Sequence, residues 1–127
     1  MPADKPTSNP YREGAEVSID ITVTTGNEVA GHEITRYHGV VRGIVVRSPS
    51  IGSSFIGAFK QMAGGNIKEY SDVCEAARHD AYQLMLAHTR QLGANAIIAM
   101  RYDATEFIQG ATEVLAYGTA VSIERKV

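Results

Sequence analysis

The 127-residue chain has one cysteine, Cys74, so it forms no disulfide of its own and no cluster of thiolates around a metal ion. A lone thiol fits a reducing compartment. The net charge is −2 and the charges are spread along the chain, without the basic face that nucleic-acid binding requires. No apolar run approaches the roughly 18 residues needed to span a bilayer. The first residues, Met1-Pro2-Ala3-Asp4-Lys5-Pro6, hold no apolar stretch of the kind found in secretory signals. The resulting expectation is a cytoplasmic protein with no nucleic-acid or membrane partner. Proline is scarce outside the first 16 residues, which hold three of the four and read as a flexible leader. Residues 17–127 then make one domain, with 44% hydrophobic and 20% charged residues in the whole chain.

Within that domain the patterning is clear. Val17 to Thr24 alternates apolar and polar residues, as a half-solvated strand does. Ile34–Arg47 is rich in β-branched residues, and Gly39 and Gly43 inside it predict a bulge or a close backbone approach. Phe55, Ile56, Phe59 and Met62 stand at helical spacing before Gly64-Gly65, predicting a short helix over 55–63. Ser71 suits the start of a long helix running to Leu92, with Gly93 in the position of a left-handed cap. Its predicted apolar face is Val73, Cys74, Ala77, Ala81, Leu84, Met85 and Leu92, with His88 on the same stripe as a satisfied histidine and Cys74 as a buried thiol. Strands follow at Asn95–Glu106 and Thr112–Glu124. The order β-β-α-β-β predicts an α+β two-layer sandwich, a mainly antiparallel sheet carrying one long helix.

A two-residue turn at Gln109-Gly110 would set Tyr102 against Tyr117, Ile98 against Val121, Ala104 against Leu115 and Met100 against Thr119. Both faces of that hairpin would be largely apolar. The helix covers one, so the other predicts self-association. The same register sets Glu106 against Glu113, a like-charge pair that a cation would relieve. With Asp103, these carboxylates form the candidate site for a divalent metal ion. Arg36, His38 and Arg42, placed on one strand face, form a candidate site for a small anionic ligand. No catalytic set stands out in one chain. The alternative is an enzyme whose site is composite, drawing Glu106, Glu113, Asp103 and His38 from neighbouring subunits. Gly64-Gly65-Asn66 lacks the lysine and the glycine spacing of a phosphate-binding loop.

Several of these residues carry a family resemblance. Leu92-Gly93-Ala94-Asn95-Ala96-Ile97-Ile98 resembles the LGANA signature of the YbjQ-like family, and Tyr117-Gly118-Thr119-Ala120-Val121 resembles its closing strand. Gly39-Val40-Val41-Arg42-Gly43, Gly64-Gly65 and Tyr70 match further family positions in the same order, and the similarity runs from about Ile19 to Glu124. The resemblance implies a two-layer fold assembled as a ring-like homopentamer. It implies no defined activity, and it brings a heavy-metal-binding label. Many members carry an aspartate-rich G-x-D-x-D-Y stretch after the signature. Here that stretch reads Ala99-Met100-Arg101-Tyr102-Asp103, with Arg101 in place of one aspartate.

Overall fold

The computed structural model describes residues 21–47 and 67–127. The expected leader, the first half of the expected first strand and the 55–63 helix lie outside those residues. Within them are β1 (Thr22–Val23), β2 (His32–Arg47), α1 (Ile67–Leu92), β3 (Ala96–Ile108) and β4 (Ala111–Arg125). The four strands form one mixed sheet in the order β1-β3-β4-β2. β1 runs parallel to β3, whereas β4 pairs antiparallel with both β3 and β2. With α1 on one face, this is the expected α+β architecture.

α1 lies over β2 and β4 because its buried residues are small and four apart. Ala77, Ala81 and Met85 face the sheet in one core cluster with Val41, Val45, Val114, Ala116 and Ala120, and the buried Thr89 continues the row. The helix starts at Ile67, four residues before Ser71, so Ser71 lies inside it. The buried stripe is also narrower than the apolar pattern suggests. Cys74 is exposed, and Leu84 and Leu92 keep 49% and 39% of their surface in water. A single i, i+4 row is what contacts the sheet when the helix sits this low on it.

Gly43 permits the close approach. A β-carbon there would meet the Ala81 carbonyl oxygen and lie 2.6 Å from the Met85 nitrogen, so helix and strand touch backbone to backbone. Gly39 (φ 115°) sits instead at a bulge between Tyr37 and Gly39. Thr89 is fully buried and satisfies its hydroxyl by donating to the Met85 carbonyl (2.9 Å). At its C-terminus α1 closes on Gly93 (φ 79°), whose N–H donates to the Arg90 carbonyl at 3.1 Å.

A second, smaller cluster occupies the far side of the sheet. There Ala96, Ile98, Val121 and Ile123 pack under Val29 and Ile34. Beyond that cluster the face is open: Val40, Ile44 and Val46 are 64%, 42% and 38% exposed.

Candidate functional site

The β3–β4 hairpin decides where the candidate carboxylates stand. Ile108 opposes Ala111 at the tip, as a turn at Gln109-Gly110 requires. One irregularity between Glu106 and Ile108 then shifts the ladder, and a second between Ile98 and Arg101 shifts it again. As a result Tyr102 opposes Ala116, Asp103 opposes Leu115, Ala104 opposes Val114, and Ile98 opposes Thr119. The expected pairs are each displaced, because a bulge adds a residue to one strand and the side-chain phase changes with it.

The displaced register separates Glu106 from Glu113. Glu106 opposes Thr112, and Glu113 opposes Thr105. Because side chains alternate, Glu106 lies on the helix side of the sheet, whereas Asp103 and Glu113 share the open side. The Glu106 carboxylate accepts the Gly110 N–H at 3.0 Å and so braces its own turn. Asp103 accepts the N–H of Ala104 at 3.1 Å. The two carboxylates that the ladder does oppose are Glu33 and Glu124, at the other end of β4 and both exposed.

The candidate anion site divides in a similar way. Two irregularities in β2, between Ile34 and Arg36 and between Tyr37 and Gly39, change its phase. Arg36 opposes Ser122, and the His38 ring nitrogen Nε2 shares a 2.8 Å hydrogen bond with the Ser122 hydroxyl. Arg42 opposes Tyr117, whose side chain points to the open face. Arg36 and His38 therefore lie on the side of the sheet away from Arg42. The shared face expected for the three is corrected by the bulge at Gly39.

His88 accepts the backbone N–H of Arg42 through Nδ1 (3.2 Å), so it is a satisfied structural histidine. It caps a donor on the free edge of β2, which would otherwise be open to another strand. Arg47 pairs with Asp80 at 2.7 Å, and Arg78 lies 5.5 Å over the Tyr102 ring. Both contacts tie the helix to the hairpin end of the sheet.

Two residues have roles that pattern alone does not reveal. The Asn95 side chain acts as an extra peptide unit: its Oδ1 accepts the Ile123 N–H at 2.8 Å and its Nδ2 donates to the Ile123 carbonyl at 3.1 Å. Its own backbone N–H donates to the Val121 carbonyl (3.2 Å), so this one residue extends the ladder past the start of β3. Arg101 closes the loop after β1. Its guanidinium donates to the carbonyls of Thr25 and Met100, each at 2.9 Å. Ala99 and Met100 donate to the carbonyls of Gly26 and Thr24, which holds Ala99 at φ 55°. A polar residue between two small apolar ones, at the mouth of a strand, was the available signal for Asn95.

Among known proteins, the chain matches over residues 21–124 the family described as "Putative heavy-metal-binding". The chain belongs to the YbjQ-like family. It is 55% identical over 101 residues to a UPF0145 protein of Solibacter usitatus, covering 80% of this chain and 90% of that one. A UPF0145 protein of Legionella pneumophila is also 55% identical, over 105 residues that span 83% of this chain and all of the relative. A crystal structure from Pediococcus pentosaceus, of a DUF74-family protein of unknown function, shares the fold with a TM-score of 0.53 at 19% identity. It covers 82% of this chain and 98% of its own.

Set beside the geometry, the LGANA signature is architectural. Gly93 turns the chain, Ala94 and Ala96 fit buried positions, and Asn95 completes the ladder. The heavy-metal description finds no matching donor set among the described residues. Among the described residues no group of three or more His, Cys, Asp or Glu side chains could hold a metal ion. The sole cysteine is exposed on α1, and soft metals require thiolate or paired imidazole ligands.

Proposed function

We propose that this YbjQ-like protein is a non-enzymatic, cytoplasmic scaffold that assembles as a ring-like homopentamer and holds a small ligand or divalent ion at its subunit junctions. The observation that carries the reading is the half of the sheet that no other described residue covers. Val40, Ile44 and Val46 leave between 38% and 64% of their surface in water, beside half-buried Leu115 and Tyr117. An antiparallel ladder tolerates one wet face when that face is polar. The β2 part of this face instead carries the exposed apolar row Val40, Ile44 and Val46, with the charged Arg42, Asp103 and Glu113 around it. A second copy of the chain is the occupant we assign to it. The family resemblance supplies the number five.

Asp103 and Glu113 stand on this same face, so assembly would set them beside groups of a neighbouring copy. A junction is thus where carboxylates that are too few in one chain could complete an oxygen-rich set for a hard cation. Native mass spectrometry combined with elemental analysis tests both parts. The expected species contains five chains of 13.7 kDa, with divalent metal that is lost from a double Asp103→Asn, Glu113→Gln variant. A monomer at micromolar concentration would overturn the scaffold reading. A metal-free pentamer would overturn only the junction metal.

A further inference from the structure

The β3–β4 hairpin ends in an exposed tip. Asp103 to Gly110 all lie in water, and Phe107 and Ile108 keep 53% and 61% of their surface there. Phe107 is the residue that the irregularity between Glu106 and Ile108 leaves without a partner in the ladder, and a bulge of this kind re-aims the side chain it carries. Adjacent large apolar side chains left in water mark an interaction surface.

A cleft of about 330 Å³ lies elsewhere on the same chain, between α1 and the free edge of β2. Leu84, Ala87, His88 and Gln91 form its helix wall, and Arg42, Gly43 and Ile44 its strand wall. We infer that this cleft receives the Phe107-Ile108 tip of a second copy of the chain. The inference rests on the scaffold reading and deepens it by naming two surfaces that meet.

Three observations select that occupant. The first is the strand wall. The ladder turns the side chains of Arg42 and Ile44 to the open face, so β2 offers the cleft its backbone edge. Because the Arg42 N–H points off the sheet, to His88, the Arg42 C=O and the N–H and C=O of Ile44 point the same way. An edge of donors and acceptors in alternation is matched by another polypeptide, which carries both.

The second is the helix wall. Leu84 is half exposed with Ala87 beside it, an apolar surface that an aromatic and an aliphatic side chain would cover. The third is charge. From Tyr102 to Ile123 the chain carries Asp103, Glu106 and Glu113 and no lysine or arginine. From Ala81 to Leu92, α1 carries Arg90 and no carboxylate. An acidic tip thus meets a helix end of the opposite sign.

The tip cannot fill its own cleft. Tyr117 opposes Arg42, and Ala111 at the tip lies six residues earlier in β4, about 20 Å away along the strand. The contact therefore joins two different patches on two copies. Such a head-to-tail arrangement closes as a ring when the rotation between copies allows it.

The test places cysteines on both surfaces, Phe107→Cys and Leu84→Cys, in a full-length chain whose own thiol is removed by Cys74→Ser. Treatment with oxidised glutathione and a non-reducing gel should show a ladder of covalent multimers for the double variant and none for either single one. In the otherwise unaltered chain, Phe107→Asp should weaken association in sedimentation by at least about tenfold, with an unchanged far-ultraviolet spectrum. Gln91→Glu, an exposed helix position, should weaken it from the cleft side by setting a like charge against the tip. Multimers in native mass spectra without the covalent ladder, or association unchanged in both variants, would overturn the inference and leave the scaffold reading standing. A lower unfolding midpoint for Phe107→Asp with unchanged association would assign the tip to a contact within its own chain and overturn the inference as well. A monomeric parent would overturn both.

Discussion

Replacing Gly43 with alanine would put a methyl group where the backbone of α1 already lies. The new β-carbon would overlap the Ala81 carbonyl oxygen, and it would stand 2.6 Å from the Met85 nitrogen and 2.7 Å from the Leu84 β-carbon. Carbon atoms in good contact sit about 3.5–4.0 Å apart, so the helix must retreat by roughly an ångström. Overpacking a core commonly costs about 1–3 kcal/mol. Here the obstacle is hydrogen-bonded helix backbone, which cannot turn aside as a side chain can, so the upper end applies. Retreat also loosens Ala77, Ala81 and Met85 from Val41 and Val45, adding about 1–2 kcal/mol of lost contact. Alanine returns about 0.4–1 kcal/mol by restricting the unfolded chain. The net expectation is a loss of about 4 kcal/mol. Urea unfolding followed by circular dichroism at fixed protein concentration would read this as a midpoint lower by about 1–3 M. Gly26→Ala is the control: its β-carbon would meet the Thr24 hydroxyl at an ordinary 3.5 Å, and stability should hold within about 0.5 kcal/mol. A Gly43→Ala midpoint equal to the parent's would refute the backbone contact between α1 and β2.

Asn95→Ala removes both hydrogen bonds to the buried Ile123 and leaves its N–H and C=O unpaired, at a cost of about 1–3 kcal/mol in the same unfolding assay. Ala99 is held in the left-handed region at φ 55°, which costs a non-glycine residue about 1–2 kcal/mol. Ala99→Gly relieves that strain against a chain-entropy cost of about 0.5–1 kcal/mol. It should raise the midpoint slightly, and a clear drop would argue against the clamped bulge. Val40→Asp places a charge at the centre of the open face. Sedimentation should show the proposed homopentamer dissociating, while the far-ultraviolet spectrum of the chain stays that of the parent.

Much of the architecture was legible in the chain because it rests on local rules. The run of β-branched residues predicts β2 as far as Arg47, and the run to Leu92 followed by a left-handed glycine predicts where α1 stops. Both ends stand where expected. Gly43 announced a close approach for the same reason, since a strand interior gives up a side chain only when something presses on it. The LGANA run marked the family because each of its residues meets a backbone or packing demand at the helix-to-strand joint.

Register was different, and the candidate sites depended on it. Alternation gives a strand its period but not its phase, and each bulge resets the phase. The bulge at Ala99 exists because a loop some 75 residues earlier in the chain offers the Thr24 and Gly26 carbonyls to Met100 and Ala99. The bulge at Gly39 likewise parts Arg42 from His38. Glu106 and Glu113 could be counted in the sequence, but only the folded ladder could set them on opposite faces. Cys74 follows the same logic, exposed because Gly43 draws the helix down on its alanine row instead. The sequence by itself determined the order of the described elements, where β2 and α1 stop, and the family. Tertiary structure alone decided which side chains meet, because that depends on contacts between segments distant in the chain.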